Sequence, residues 1–168
     1  TPSISSAASD VYKRQMFNSA FNKITGNVVD YWPVEMRDNI EKINARIYSD
    51  INNGVYKSGF ATTQPAYDIA VESLFDSLDW VEEILSKNRY LLGDQLTEAD
   101  WRLFTTLVRF DNVYVLHFKC NRKRIIDYPN IWGYARELFQ HNGISKTTNF
   151  DHIIRHYHYS HETISPNR

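Results

Sequence analysis

The stretch Leu96-Thr97-Glu98-Ala99-Asp100-Trp101 decides the fold of this 168-residue chain. A threonine followed three residues later by an aspartate predicts a capping box. In it, the Thr97 side chain accepts from the Asp100 amide, and the Asp100 carboxylate accepts from the Thr97 amide. The apolar residues that follow recur at spacings of four, three and four, which places them on one helix face: Leu103, Leu107, Phe110 and Tyr114. We therefore expect a core helix to begin at Thr97.

The same periodicity predicts helices on both sides of this stretch. After the break at Trp32-Pro33, a buried stripe is formed by Met36, Ile40, Ile43 and Ile47. We expect Gly54 to end that helix in a left-handed conformation. A longer amphipathic helix should run from Pro65 to about Lys87, with a stripe of Val71, Leu74, Ser77 or Leu78, Val81 and Leu85. Further helices should begin near Pro129 and after Thr148.

Residues 112–118 are an ambiguous segment. Their β-branched and aromatic side chains favour a strand, but they also continue the helical stripe that ends at Tyr114. We interpret them as helical because the capping box already fixes the helix upstream. The chain shows no internal repeat and no alternation of strands and helices around a glycine-rich turn. The sequence therefore predicts an all-α bundle of about five or six helices.

The composition restricts both size and partners. The chain has 42% hydrophobic residues, with 19 Lys+Arg against 20 Asp+Glu for a net charge of -1. This is enough for one compact core and offers no overall attraction to nucleic acid or to a membrane surface. No apolar run approaches the length of a membrane span, and no signal peptide opens the sequence. We therefore predict a cytoplasmic protein with neither nucleic acid nor membrane as a partner.

Several reactive side chains are better explained without catalysis. Cys120 is the single cysteine, so an internal disulfide is excluded, and it is predicted to be a structural thiol because no partner motif accompanies it. His152 and His156 have a spacing that can hold zinc, but no third ligand follows at a metalloprotease spacing, so we predict no metal site. Solvated surfaces are predicted for two charged groups: the basic run Arg122-Lys123-Arg124, and the acidic face of Asp68, Glu72, Asp76 and Asp79.

The order of these motifs resembles the all-helical C-terminal domain of glutathione transferases. Tyr90-Leu91-Leu92-Gly93-Asp94, then the capping box, then Tyr128-Pro129-Asn130-Ile131-Trp132 are common to that superfamily. Three longer stretches are more selective: 52–64, which includes Gly-Val-Tyr-Lys, then 101–121, then 149–157. Together they resemble the glutathionyl-hydroquinone reductases, the xi-class transferases, over about residues 16–168.

The resemblance implies a domain organisation. In that family a thioredoxin-like domain, which holds the catalytic cysteine and most of the glutathione site, precedes the helical domain. We expect residues 1–15 to be a disordered leader or an artefact and residues 16–30 to be the end of the thioredoxin-like domain with its linker. Residues 31–168 would form the helical domain. Most of the front domain is then expected to be missing, and the chain alone is expected to be inactive.

The resemblance also implies a reaction and its residues. The parent enzyme would use glutathione as co-substrate to remove glutathione from glutathionyl-hydroquinones, and it would be a homodimer. Tyr56 would be the proton donor and acceptor, while Tyr114 and Tyr157 would donate hydrogen bonds that lower the pKa of the missing cysteine. No cofactor-binding residue is expected within this chain.

Three other interpretations remain open at this point. With eleven tyrosines in the chain, each of these three could be an ordinary core or rim residue. The helical domain could also be a non-catalytic interaction or ligand-holding module. A third alternative is an omega-type thiol transferase, which would share the cysteine but not the preference for quinols.

Overall fold

The computed structural model describes residues 16–164, and these residues form helices joined by turns. Apart from one bridge between Tyr90 and Gly93, no strand pairing occurs in this part of the chain. This confirms the predicted all-α class. The expected leader at 1–15 lies outside the described residues. Within 16–164, no helix combines the length and apolar composition that a membrane span requires.

The helices follow one another along the chain with two π-helical insertions. Residues 16–19 are helical, and 3-10 turns occupy Val34–Met36 and Ile125–Asp127. The first π segment is Ile47–Asn52 and the second is Phe110–Tyr114. The α-helices are α1 (Asn22–Thr25), α2 (Arg37–Arg46), α3 (Gly54–Gly59), α4 (Gln64–Leu85), α5 (Glu98–Arg109), α6 (Val115–His117), α7 (Pro129–Gln140), α8 (Ile144–Thr147) and α9 (Phe150–Ser160).

The predicted capping box begins α5. An Asp100 carboxylate oxygen accepts from the Thr97 amide at 2.8 Å, and the carboxylate is fully buried. It also accepts from the Leu91 amide at 2.9 Å and from the Tyr134 hydroxyl at 3.0 Å. Burial raises the pKa of Asp100, while these hydrogen bonds oppose the shift. One side chain thus connects the 90–93 turn, the start of α5 and α7.

The core lies between α2, the first π segment, α4, α5 and α7. The predicted stripes are confirmed, because their members are buried or, for Met36, half-buried against the core. Helices also begin where expected, at Pro129 for α7 and just after Thr148 for α9, which Asn149 caps through the His152 amide at 3.0 Å. The ambiguous segment at 112–118 is helical through Tyr114 and α6.

The prediction for Gly54 was wrong. Gly54 is not left-handed; it is the first residue of α3, so the chain continues as a helix beyond Asn52. The π segment explains the difference, because its wider turn, closed by the Asn53 amide on the Tyr48 carbonyl at 3.0 Å, redirects the chain without ending the helix. A Cβ at Gly54 would lie 3.6 Å from the Leu74 Cβ, an ordinary van der Waals contact, so α3 packs against α4 here without the position requiring a glycine.

Candidate active site

The structure brings together the three tyrosines that the sequence singled out. Tyr56 lies on α3, Tyr114 ends the second π segment, and Tyr157 lies on α9. The Tyr157 hydroxyl is 2.6 Å from the Tyr56 hydroxyl and 2.8 Å from the Tyr114 hydroxyl. The three phenol oxygens therefore form one hydrogen-bonded row, with Tyr157 in the middle.

Both π segments adjoin this row. The first one ends just before α3, which contains Tyr56, and the second one includes Tyr114 itself. A π turn inserts one extra residue, which rotates all later side chains around the helix axis, and such insertions recur at functional sites. We conclude that the two insertions set the faces on which Tyr56 and Tyr114 lie.

The difference in burial along the row indicates which hydroxyl donates to which. The exposed fractions are 2% for Tyr114, 5% for Tyr157 and 38% for Tyr56. A buried hydroxyl that donates to nothing is costly, so Tyr114 should donate to Tyr157, and Tyr157 to Tyr56. Burial raises the pKa of Tyr157 to about 12 and also raises the pKa of Tyr114, so both hydroxyls stay protonated near neutral pH. This order leaves the Tyr56 proton free to point outward.

Phe118 holds the rings of the row in place. Its fully buried ring stacks on Tyr114 with centroids 5.4 Å apart and planes 6° apart, and it lies 5.2 Å from Tyr56 and 5.8 Å from Tyr157. No motif in the sequence indicated this role for Phe118. Its spacing of four residues from Tyr114 along a helix was the available signal.

Gly59 makes room for Phe118. A Cβ at Gly59 would lie 2.9 Å from the Phe118 Cβ and would overlap its ring. We expect Gly59→Ala to lower the free energy of unfolding by about 2 kcal/mol, since the buried ring has to move. Gly133→Ala in α7 is the matched control: nothing lies within 4 Å of the new Cβ, so it should stabilise by about 0.5–1 kcal/mol. Urea unfolding measures the change in the free energy of unfolding for each variant. Equal changes in Gly59→Ala and Gly133→Ala would contradict the close packing of Gly59 against Phe118.

The remaining candidates do not join the row of hydroxyls. Cys120 is buried, and burial raises the pKa of its thiol to about 12, which suits the structural role that was predicted. His152 and His156 are exposed on α9. Within residues 16–164, no group of three or more histidine, cysteine or acidic side chains is placed to hold a metal ion. The acidic side chains of Asp68, Glu72, Asp76 and Asp79 are exposed.

The basic run is a solvated turn, as predicted. Arg124 pairs with Asp127 at 3.0 Å while both side chains stay largely in solvent. Lys123 lies over the Tyr128 ring, 3.5 Å from its centroid, and the Arg122 guanidinium lies 5.3 Å from the Phe75 centroid. Stacking of this kind covers core aromatic rings with the charged side chains.

The class of protein follows from comparing this helical bundle with known families and structures. Residues 64–137 match the family model described as "Glutathione S-transferase, C-terminal domain". The glutathione-bound structure of YqjG, a glutathione transferase homolog from Escherichia coli K-12, matches with a TM-score of 0.89 and 55% identity, over 90% of this chain and 50% of that one. The class is therefore the helical domain of glutathione transferases.

Similar sequences show which family within this class the chain belongs to. The chain is 55% identical over 152 residues to the glutathionyl-hydroquinone reductase YqjG of Escherichia coli (strain K12), covering 90% of this chain and 46% of the relative. It is 51% identical to the glutathionyl-hydroquinone reductase PcpF of Sphingobium chlorophenolicum, covering 90% and 49%. The xi-class transferase of Natrialba magadii matches with a TM-score of 0.88 and 46% identity, over 90% of this chain and 46% of that one.

The chain belongs to the xi-class glutathione transferases, the family of the glutathionyl-hydroquinone reductases, and corresponds to their C-terminal helical domain. It spans about half the length of the curated relatives that it matches.

Proposed function

We propose that this chain is the helical, substrate-binding half of a glutathione-dependent reductase that removes glutathione from glutathionyl-hydroquinones. The main support is the row of three hydroxyls that ends at the half-exposed Tyr56. The reaction needs a proton donor beside an aromatic substrate. A phenol supplies a proton at neutral pH together with a flat apolar ring. The names of the relatives YqjG and PcpF agree with this activity.

The proposed chemistry has two balanced steps. A cysteine thiolate from another part of the protein attacks the thioether sulfur, the bond from sulfur to the aromatic carbon breaks, and a disulfide forms between cysteine and glutathione. The aromatic carbon takes a proton, which we assign to Tyr56. A second glutathione then passes its thiol proton to the Tyr56 phenolate, and its thiolate attacks the disulfide, releases oxidised glutathione and restores the cysteine thiolate. Two electrons pass from the sulfurs to the carbon.

Tyr114 and Tyr157 act on this chemistry through the hydrogen bonds that they donate along the row toward Tyr56. Both are buried, so they reach an external sulfur through the Tyr56 hydroxyl. Hydrogen bonds along the row make each donor stronger, which helps Tyr56 to donate to the thiolate or to the leaving carbon. Favouring the charged form of the cysteine lowers its pKa. This is how we assign the two buried tyrosines their role in lowering the pKa of the cysteine.

We also propose a co-substrate, an oligomeric state and a cellular location for the protein. Glutathione is the co-substrate, no metal takes part, and two copies associate through their helical domains. We place the protein in the cytoplasm, where glutathione is kept reduced. The 168-residue chain alone should be inactive, because its single cysteine is the buried Cys120, whose pKa burial raises to about 12.

Substrate profiling of the full-length protein tests this function. The protein is prepared with its upstream coding sequence and assayed with a glutathionyl-hydroquinone and with a mixed disulfide of glutathione and a small thiol. We expect faster turnover of the glutathionyl-hydroquinone. Preference for the mixed disulfide would instead indicate an omega-type thiol transferase, and no turnover of either would indicate a non-catalytic module.

A further inference from the structure

A pair of histidines lies next to Tyr157, with ring centroids 6.3 Å (His117) and 5.6 Å (His161) from its ring. His117, on α6, is 3% exposed, and His161 follows the last residue of α9. The His117 Nε2 atom is 3.0 Å from the His161 Nδ1 atom, a hydrogen-bond distance. The His161 ring also stacks on Phe118, with centroids 5.7 Å apart and planes 20° apart. The proposed chemistry does not yet use this pair.

Helix α9 has few buried contacts, and these lie at its start, around Tyr157 and just beyond its last residue. Tyr157 is its buried residue, and the other α9 side chains are exposed or half-buried. At the start of α9, Phe150 contacts Phe139 with centroids 5.9 Å apart. Beyond its last residue, His161 contacts His117. A helix with so little buried surface moves readily, so the contact beyond its last residue helps to set where the Tyr157 hydroxyl lies.

We propose that His117 and His161 are positioning residues that fix the end of α9 and so keep the Tyr157 hydroxyl within reach of Tyr56 and Tyr114. This inference rests on the proposed function, because it concerns the same row of hydroxyls. The contact requires one ring nitrogen to donate and the other to accept. It is therefore present when the two rings hold no extra proton and is lost when both nitrogens are protonated.

The surroundings keep the pair neutral near pH 7. His117 faces His158, whose ring centroid is 4.9 Å away, as well as Lys119 and Tyr157. His161 faces His156, and Glu162 follows it as an exposed residue. Burial, followed by the charges of His158, His161 and Lys119, lowers the pKa of His117 to about 4, and burial, followed by the charge of His156, lowers the pKa of His161. Because both pKa values are lowered in the packed pair, protonation favours rings that have left it, so the pair should be most stable above the ordinary histidine pKa of about 6.5 and lose stability as the pH falls toward 4.

Two substitutions at His161 distinguish a role of its hydrogen bond with His117 from a role of its packing alone. Asparagine places an acceptor oxygen close to the position of Nδ1 and does not titrate, whereas leucine fills space without an acceptor. His152→Asn, on an exposed position of the same helix, is the control. The glutathionyl-hydroquinone assay on the full-length protein between pH 5 and 8 gives kcat and KM for each variant.

We expect His161→Leu to lower kcat roughly tenfold or more at pH 7 because the proton donor row is misplaced. His161→Asn should keep most of kcat and retain it to lower pH than the wild type, and His152→Asn should leave the profile unchanged. The inference is overturned if His161→Leu matches the wild type, or if the leucine and asparagine variants are equally impaired.

Amide hydrogen exchange on the same proteins gives a readout that does not need catalysis. The amides of α9 should exchange faster in His161→Leu than in His161→Asn, while those of α5 stay protected. Equal α9 exchange in the two variants would overturn the positioning role. A wild-type protein that turns over no glutathionyl-hydroquinone but shows this difference would reject the proposed function and keep the role of the histidine pair.

Discussion

Tyr56→Phe in the full-length protein is expected to lower kcat for glutathionyl-hydroquinone reduction by about 100-fold or more, within the range of general acid catalysis. The substitution removes the hydroxyl that ends the row, 2.6 Å from the Tyr157 hydroxyl, and keeps the ring against Phe118. The two buried tyrosines then have no outward route for a proton. Because the ring remains, KM should change little, whereas thermal stability should fall modestly, since the buried Tyr157 hydroxyl loses its acceptor.

Tyr48→Phe is the matched control. Tyr48 is also more than a third exposed, and its ring lies over the Arg102 guanidinium, a contact that phenylalanine keeps. The control should leave kcat unchanged. If Tyr56→Phe retains wild-type kcat while glutathione reduces the substrate normally, Tyr56 is not the proton donor and the row of hydroxyls has another role.

Asp100→Ala is expected to give the largest loss of stability, on the order of 3–5 kcal/mol in the free energy of unfolding. The substitution removes the acceptor for the Leu91 and Thr97 amides and for the Thr97 and Tyr134 hydroxyls. These donors belong to buried residues, so they cannot recover their bonds from water without opening the core. The start of α5 and its contact with α7 should therefore loosen together.

Two further variants make the test of Asp100 specific. Asp100→Asn keeps one acceptor oxygen and should lose less stability than the alanine variant. Asp94→Ala changes an exposed aspartate in the preceding turn and should have almost no effect. Urea unfolding of the full-length protein measures all three. A loss below about 1 kcal/mol for Asp100→Ala would mean that the capping box does not hold the bundle together.

The helices could be predicted because their signals are local. Spacings of three and four, the Thr97 and Asp100 pair, and the proline that opens α7 each act within a few residues. The π segments could not be predicted in this way, since a π turn depends on how a helix packs against its neighbours. That is why Gly54 was placed at a helix end and is instead the first residue of α3.

Only part of the candidate site could be predicted from the sequence. Periodicity shows that Tyr114 is buried, but it does not show which distant side chain it meets. Tyr56 and Tyr157 are 101 residues apart, and His117 and His161 are 44 apart, so their contacts depend on tertiary packing. The resemblance to a family singled out the three tyrosines as a group. It gave no indication of the histidine pair or of the direction in which the buried hydroxyls donate.

The central claim is that this chain supplies the proton donor for a nucleophile that lies elsewhere in the protein. The most direct measurement compares initial rates of glutathione-dependent reduction of a glutathionyl-hydroquinone by the full-length protein and by the 168-residue chain at equal concentration. We predict turnover by the full-length protein and no rate above background for the chain alone. Turnover by the chain alone, or none by the full-length protein, would contradict the claim.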